Sequence, residues 1–139
     1  MKRIFTSYLV IFALVALALF LPLLTSQTQA AGPLGVESAT ICRGVVARTP
    51  VDPGTSFPVS VGKLYCFTKI VNVPGPTAVT HVWYYGQTER ARVTLSVNSP
   101  SWRTYSSKII QAHEIGPWHV DVLGPSGEVL TSLYFEVTR

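Results

Sequence analysis

The chain has 139 residues, of which 47% are apolar and 13% charged, and its formal net charge is +4. This length suits one domain of ordinary size and is too short for two domains and a linker. Much of the apolar excess lies in residues 4–24, which are apolar except at three positions. The remainder has the composition of a globular domain, which excludes intrinsic disorder, a coiled coil, a collagen-like fibre and a multi-span membrane protein.

The N-terminal block has the layout of an export signal. Lys2 and Arg3 supply a positive start, the apolar run follows, and a polar stretch ends at the small residue Ala30. We therefore expect residues 1–30 to be a secretory signal peptide cleaved after Ala30. The alternative is an uncleaved N-terminal anchor, because about 20 apolar residues can also span a bilayer. The predicted location is periplasmic or extracellular, or, with the anchor, on the inner membrane facing the periplasm.

The chain has two cysteines, Cys42 and Cys66. In an exported protein we expect them to form a disulfide bridge, because disulfides persist in that compartment. The alternative is a pair of buried free thiols that act as small apolar side chains. A zinc site has little support, since two cysteines without a CxxC spacing leave half of the usual tetrahedral shell unassigned.

The charges do not indicate a nucleic-acid partner. Two of the eleven Lys and Arg residues belong to the N-terminal signal, and nine remain against seven acidic residues. These nine are scattered along the sequence, with no run that would follow a phosphate backbone. We therefore expect a nearly neutral domain that does not bind nucleic acid.

A short lead-in at residues 31–38, predicted to be flexible, precedes a single domain at residues 39–139. Alternation of polar and apolar residues predicts strands at residues 90–97, 118–122 and 133–137, the last two forming a hairpin across Gly124-Pro125-Ser126-Gly127. Four further segments are rich in strand-forming residues: 39–47, 63–71, 77–85 and 102–110. The pattern predicts an all-β fold, an antiparallel seven-stranded β-sandwich of immunoglobulin or fibronectin type. A closed barrel is the alternative.

Several blocks of residues together resemble a known family. The most distinctive are His-x-Trp-Tyr at residues 81–84, Trp-Arg-Thr-Tyr-Ser at 102–106 and Gly-x-Trp-x-Val at 116–120. As an ordered set, within residues 40–137, they are similar to the bacterial domain-of-unknown-function family 2914. The resemblance implies an exported or membrane-linked bacterial protein, and it brings no assigned activity.

Few residues are suited to catalysis. His119 and Asp121 lie two positions apart on one strand, so both face away from Trp118 and Val120 and could bind a metal or supply a general base. The preferred interpretation is a solvated outer strand face, which the same alternation predicts. The sequence contains no nucleophile elbow and no phosphate-binding loop. We therefore expect no enzyme activity, no cofactor and no metal.

Aromatic residues give the clearest indication of function. Strand 77–85 carries three candidate ligand-binding residues on one face, and strand 102–110 carries four more: His81, Trp83 and Tyr85, then Trp102, Arg103, Tyr105 and Lys108. If exposed, they would form a platform that stacks sugar rings or holds a peptide. The alternative is that Trp83 and Trp102 lie in the core.

We therefore predict a non-catalytic binding module of the cell envelope, whose partner is a glycan or an envelope protein. One alternative is a structural or accessory subunit that docks onto an envelope complex through a sheet edge. A more remote alternative is a metal-dependent hydrolase that uses His119 and Asp121. The membrane is expected to be a partner only through an uncleaved N-terminal segment.

Overall fold

A computed structural model describes residues 32–139, which form nine β-strands in two sheets. The strands are β1 (Gly35–Val46), β2 (Thr49–Gly54), β3 (Ser56–Pro58), β4 (Lys63–Val71), β5 (Thr77–Tyr85), β6 (Thr88–Val97), β7 (Trp102–Ile109), β8 (Gly116–Leu123) and β9 (Val129–Thr138). The four-stranded sheet has the order β2-β1-β4-β7, and the five-stranded sheet has the order β3-β9-β8-β5-β6. All pairings are antiparallel except that of β3 with β9.

The all-β class and all seven predicted strands are confirmed, but the predicted number of strands is wrong. The sequence missed β2 and β3, because Pro50, Pro53 and Pro58 in these segments indicate turns. Both strands lie at the edge of a sheet. Proline is tolerated at an edge, where its missing N–H does not interrupt a ladder of hydrogen bonds.

Two predictions concern the start of the chain. The predicted flexible lead-in is wrong for residues 35–38, because these residues open β1 and pair with β4 across a bulge. The predicted signal peptide at residues 1–30 lies outside the described residues. Between residues 32 and 139 the structure has no helix that is long and apolar enough to span a membrane.

The core lies between the two sheets and is built around large aromatic side chains. Trp83 of β5 and Trp118 of β8 are buried, as is Phe135 of β9. The Trp83 ring meets the Phe135 ring edge to face at 6.2 Å between centroids, and the Trp118 ring stacks with Phe135 at 6.0 Å. Aromatic pairs of this kind add about 0.5–1.5 kcal/mol each to the free energy gained by burial. These contacts join β5, β8 and β9 into one packed layer.

The predicted disulfide between Cys42 and Cys66 is absent from the structure, where both cysteines are free and buried. Cys66 of β4 pairs with Ile41 of β1, and both side chains belong to the core. Cys42 is the next residue after Ile41, so its side chain projects to the opposite face of the sheet. There its Sγ lies 3.1 Å from the carbonyl oxygen of Gly44. The pleat therefore separates the two thiols, and burial raises the pKa of both.

Because the thiols lie on opposite faces, we expect both to stay reduced after purification in air. In denaturant without a reducing agent, iodoacetamide should add two carbamidomethyl groups to the intact mass. The Cys42→Ser variant should accept one group, and the native protein should react slowly because both thiols are buried. Failure of the unfolded chain to react until a reductant is added would show that a bridge forms.

Candidate binding surface

The structure separates the seven predicted ligand-binding residues instead of bringing them together. His81 and Trp83 are completely buried in the core, and Tyr85 is half-buried with its hydroxyl donating to the carbonyl oxygen of Ile115 at 2.6 Å. The three residues share one face of β5, as predicted, but that face is the inner one. The prediction that His81, Trp83 and Tyr85 belong to an exposed binding platform is therefore wrong.

The four candidates on β7 divide between its two faces. Register with β4 places Trp102 and Lys108 on the inner face, since they pair with Ile70 and Leu64, respectively. Both are half-buried. Arg103 and Tyr105 project from the outer face and are exposed. Of the predicted platform, only these last two residues form a surface together.

Buried polar side chains connect the two sheets at the centre of the core. Trp83 Nε1 donates to Ser106 Oγ at 3.0 Å, and Ser106 Oγ lies 2.7 Å from His81 Nδ1. On the other side of the imidazole, Nε2 lies 3.1 Å from Thr68 Oγ1, which donates to the carbonyl oxygen of Thr104 at 3.5 Å. His81 and Trp83 belong to the five-stranded sheet, and the other three residues belong to the four-stranded sheet.

We call the hydrogen-bonded side chains of Trp83, Ser106, His81 and Thr68 the buried relay. One assignment of the hydrogen atoms gives every donor in the buried relay an acceptor. Ser106 donates its hydroxyl hydrogen to His81 Nδ1, and His81 donates its Nε2 hydrogen to Thr68. The imidazole is then neutral, in agreement with burial, which lowers the pKa of His81 to about 4. A serine beside a histidine resembles a nucleophile with its base. Here both side chains are buried, and the second ring nitrogen bonds a threonine instead of an orienting carboxylate, so the pair is suited to holding the sheets together.

Aromatic and cationic side chains, three of them exposed and two half-buried, share the outer face of the four-stranded sheet. We call Lys63, Tyr65 and Lys69 of β4 with Arg103 and Tyr105 of β7 the cationic face. The rings of Tyr65 and Tyr105 lie 6.0 Å apart at 59°, and the Lys63 ammonium lies 5.4 Å from the centre of the Tyr65 ring. Tyr105 is 47% exposed.

The β1–β2 hairpin borders this face and forms a groove with it. The hairpin groove has a volume of about 320 Å³ and is lined by Glu37, Ser38, Arg48, Thr49, Pro50, Phe67, Lys69 and Arg103. Arg48, at the hairpin turn, places its guanidinium carbon 5.6 Å from the centre of the Trp102 ring. Lys69 pairs with Glu37. Neither Arg48 nor Arg103 forms an ion pair with any carboxylate of residues 32–139.

The fold segregates charges that look scattered in the sequence. Six of the nine Lys and Arg residues between positions 32 and 139 lie on the four-stranded sheet or its β1–β2 turn: Arg43, Arg48, Lys63, Lys69, Arg103 and Lys108. Only two acidic residues, Glu37 and Asp52, accompany them. The strands of the five-stranded sheet and their adjoining loops carry the other five acidic residues with three arginines. The four-stranded sheet therefore carries a net positive charge, and the five-stranded sheet with its loops carries a net negative charge.

The outer face of the five-stranded sheet carries His119 and Asp121, as the alternation predicts. His119 stacks on Tyr84 at 4.5 Å and on Tyr134 at 5.4 Å between ring centres. Asp121 accepts a hydrogen bond from Ser132 at 2.7 Å. Nowhere in the described part of the chain do three His, Cys, Asp or Glu side chains come close enough to hold a metal ion. Cross-strand pairs like these stabilise a sheet.

A buried carboxylate fixes the loop between β7 and β8. Glu114 Oε2 lies 2.8 Å from Arg90 Nε, outside hydrogen-bond alignment, so the contact is an ion pair. Its Oε1 accepts a hydrogen bond from the backbone N–H of Gln111 at 2.8 Å. The backbone carbonyl of Glu114 also accepts from Trp118 Nε1 at 2.9 Å. The loop is thereby held against the core, and the carboxylate has a structural role.

Sequence reasoning missed Tyr65 and Arg48 as surface residues. Tyr65 stands between buried Leu64 and Cys66, so alternation alone could have placed it on the outer face. Arg48 belongs to a turn whose position over the sheet depends on β2, which the sequence did not reveal.

Comparison with known proteins identifies a family for the C-terminal part of the chain. Residues 76–137 match the model of a family described as a protein of unknown function (DUF2914). These residues belong to the DUF2914 family. The resemblance stated from the sequence motifs is thus confirmed over residues 76–137, whereas its extension back to residue 40 and the exported or membrane-linked location remain predictions. No curated protein matches the chain.

The DUF2914 segment contains strands β5 to β9 except the last residue of β9. It includes Arg103 and Tyr105 of the cationic face, together with His81, Trp83 and Ser106 of the buried relay. Strands β1, β2 and β4 precede the matched residues. With the β1–β2 turn they supply Tyr65, Thr68 and every residue that lines the groove except Arg103.

Removing the Ser106 hydroxyl should destabilise the domain strongly. In Ser106→Ala, His81 Nδ1 and Trp83 Nε1 lose their partner inside the core, and each buried unsatisfied group costs about 1–3 kcal/mol. We expect the free energy of unfolding, measured by urea denaturation, to fall by about 2–4 kcal/mol. Ser107→Ala on the outer face of the same strand is the control and should change it by less than about 0.5 kcal/mol. Equal effects of the two substitutions would contradict the structural role of the relay.

The buried imidazole predicts a loss of stability in mild acid. The ordinary pKa of histidine is about 6.5, and burial lowers the pKa of His81 to about 4. Between these values the unfolded chain binds a proton that the folded protein does not, so stability falls as the pH falls through this range, by up to about 3 kcal/mol.

Urea denaturation from pH 7.5 to pH 4 should show this loss in the wild type, and His81→Gln should lack that part of it. The difference between the two curves removes the contribution of carboxylates. If His81→Gln does not fold, titration of the His81 ring by NMR in the wild type gives the same answer. A midpoint near that of an ordinary histidine would contradict the prediction.

Proposed function

We propose that the domain is a non-catalytic binding module that holds a glycan of the cell envelope on the cationic face. The observation that most directly supports this proposal is that Tyr105 and Tyr65 present neighbouring rings on the outside of the four-stranded sheet. Arg103 and Lys63 lie next to them. Their position on paired strands fixes their spacing without the aid of a ligand.

This combination of side chains suits a sugar. The face of a pyranose ring is rich in C–H groups that pack against an aromatic ring, while hydroxyls at its rim accept hydrogen bonds from Lys and Arg. A strand pair keeps the aromatic rings in place, so little side-chain entropy remains to be lost on binding. The predicted export signal supports a location where such glycans occur.

The arrangement of polar groups supports binding over catalysis. The buried relay has the hydroxyl and the imidazole of a nucleophilic site but lacks access to solvent. On the outer face of the five-stranded sheet, His119 is stacked between two tyrosine rings, and Asp121 bonds Ser132. A hydrolase that uses His119 and Asp121 therefore has less support than a binding module.

The alternative of docking through a sheet edge also has less support. Edge strands that accept a partner strand are long and free of proline and charge. Here β2 contains two prolines, β3 has three residues, and β6 carries Glu89, Arg90 and Arg92. On β7, Arg103 and Lys108 place charge on the remaining edge. All four edges thus carry features that oppose strand addition.

The proposal is tested by titrating residues 32–139 with peptidoglycan fragments and neutral oligosaccharides, followed by calorimetry. We expect Tyr105→Ala and Tyr65→Ala each to weaken binding about tenfold, which corresponds to about 1.4 kcal/mol. Tyr134→Ala is the matched control, because Tyr134 is 71% exposed on the opposite sheet, and it should leave affinity unchanged. No binding by either class of glycan would contradict the proposal.

A further inference from the structure

We infer that the hairpin groove is an oxyanion subsite, which binds a carboxylate or phosphate group carried by an acidic glycan. The inference rests on the proposed function and specifies the chemical class of the glycan. Its basis is the presence of two arginines, Arg48 and Arg103, in one groove without a carboxylate partner among the described residues.

The chemistry of the groove matches an oxyanion. A guanidinium presents planar N–H groups that bond two oxygens of a carboxylate or phosphate at once, which an ammonium does not. Hydroxyl groups of Ser38 and Thr49 also line the groove and can donate further hydrogen bonds. Phe67, which is only 5% exposed, forms an apolar wall that lowers the local dielectric. The interaction of a bound anion with the guanidinium groups is therefore stronger than it would be on an open surface.

The charge balance of the groove also favours an anion. Lys69 and Glu37 neutralise each other in their ion pair. The remaining charges are the two guanidinium groups, and the surrounding sheet is itself positive. Arg48 packs against the Trp102 ring, which fixes the guanidinium while leaving the N–H groups at its edge able to donate. An acidic ligand is thus attracted at long range and held at a defined point.

The backbone of the hairpin turn provides independent support. The two turn residues Ala47 and Arg48 have positive φ angles of 50° and 56°. Hairpin turns of this shape ordinarily use Asn, Asp or Gly, since other side chains are strained there. A strained conformation that places an arginine over the sheet is a feature expected of a binding site. Asparagine would suit the turn better, yet it would remove the guanidinium.

Replacing Arg48 by asparagine therefore tests binding separately from folding, because asparagine suits the turn but lacks the guanidinium. The purified protein is titrated by NMR with inorganic phosphate, and by calorimetry with a uronic-acid oligosaccharide and its carboxyl-reduced neutral counterpart. We expect phosphate to shift the amide signals of Arg48, Thr49 and Arg103, and the acidic oligosaccharide to bind about tenfold more tightly than the neutral one. One charge-assisted pair accounts for a factor of this size.

Variants assign the effect to the groove. Arg48→Asn and Arg103→Gln should each abolish the preference for the acidic oligosaccharide. Arg48→Asn should leave affinity for the neutral oligosaccharide unchanged, whereas Arg103→Gln should also weaken it, because Arg103 belongs to the cationic face. Arg48→Asn should also fold with undiminished stability, because asparagine tolerates the positive φ of the turn. Arg92→Gln removes an equal charge from the opposite sheet, where Arg92 pairs with Glu89, and should keep the preference.

The outcomes distinguish this inference from the proposed function. Equal binding of acidic and neutral oligosaccharides would overturn the oxyanion subsite and leave glycan binding intact. Arginine-dependent phosphate binding without any glycan binding would overturn the proposed function and the glycan as source, while the groove would remain an oxyanion site. Binding to vesicles of anionic phospholipid but to no acidic glycan would also overturn the proposal that the oxyanion is carried by a glycan. Equal losses in Arg92→Gln would attribute the effect to net charge and overturn the groove.

Discussion

The hydrogen-bond relay through His81 is the constraint on which the core depends. It runs from Trp83 through Ser106 and the imidazole to Thr68, and so it crosses from one sheet to the other. Apolar packing is tolerant of small shifts between sheets, whereas hydrogen bonds in a buried site require fixed distances and directions. Because each of these groups would be costly to bury alone, the two sheets must meet in one register. The relay thereby fixes how β4 and β7 lie over β5.

The same strands that hold the relay also present the cationic face. On β4, Thr68 points into the relay and Lys69 points outward, and on β7, Ser106 points inward and Tyr105 outward. Alternation along a strand makes these roles independent, since adjacent residues occupy opposite faces. The positions of the outward side chains are nevertheless set by the register that the relay requires. The interior thus determines the spacing of the aromatic rings and charges on the surface.

Alternation in the sequence was enough to predict the all-β class, seven of the nine strands and the outward position of His119 and Asp121. It could not decide which face of β5 is buried, because His81, Trp83 and Tyr85 are amphipathic residues that suit a core with polar partners as well as a surface. The partners, Ser106 and Thr68, lie on strands far away in sequence. The disulfide prediction was wrong for a similar reason. The sequence separation of Cys42 and Cys66 does not reveal how β1 pairs with β4, and this pairing places the two thiols on opposite faces of the sheet. The segregation of charge between the two sheets could not be predicted from the sequence either, because it arises only when strands distant in the sequence join the same sheet.

The matched family segment contains only part of the cationic face. Strands β5 to β9 supply Arg103 and Tyr105, while Arg48, Lys63 and Tyr65 come from residues before position 76. The groove is complete only when the β1–β2 hairpin lies beside β4 and β7, so the segment alone does not form it. Under the proposed function, ligand recognition therefore uses both parts of the chain, since Arg103 and Tyr105 lie within the matched segment while Arg48 and Tyr65 precede it. The fold also uses both parts, because Thr68 of β4 bonds His81 and Ser106 of the matched segment bonds the same imidazole.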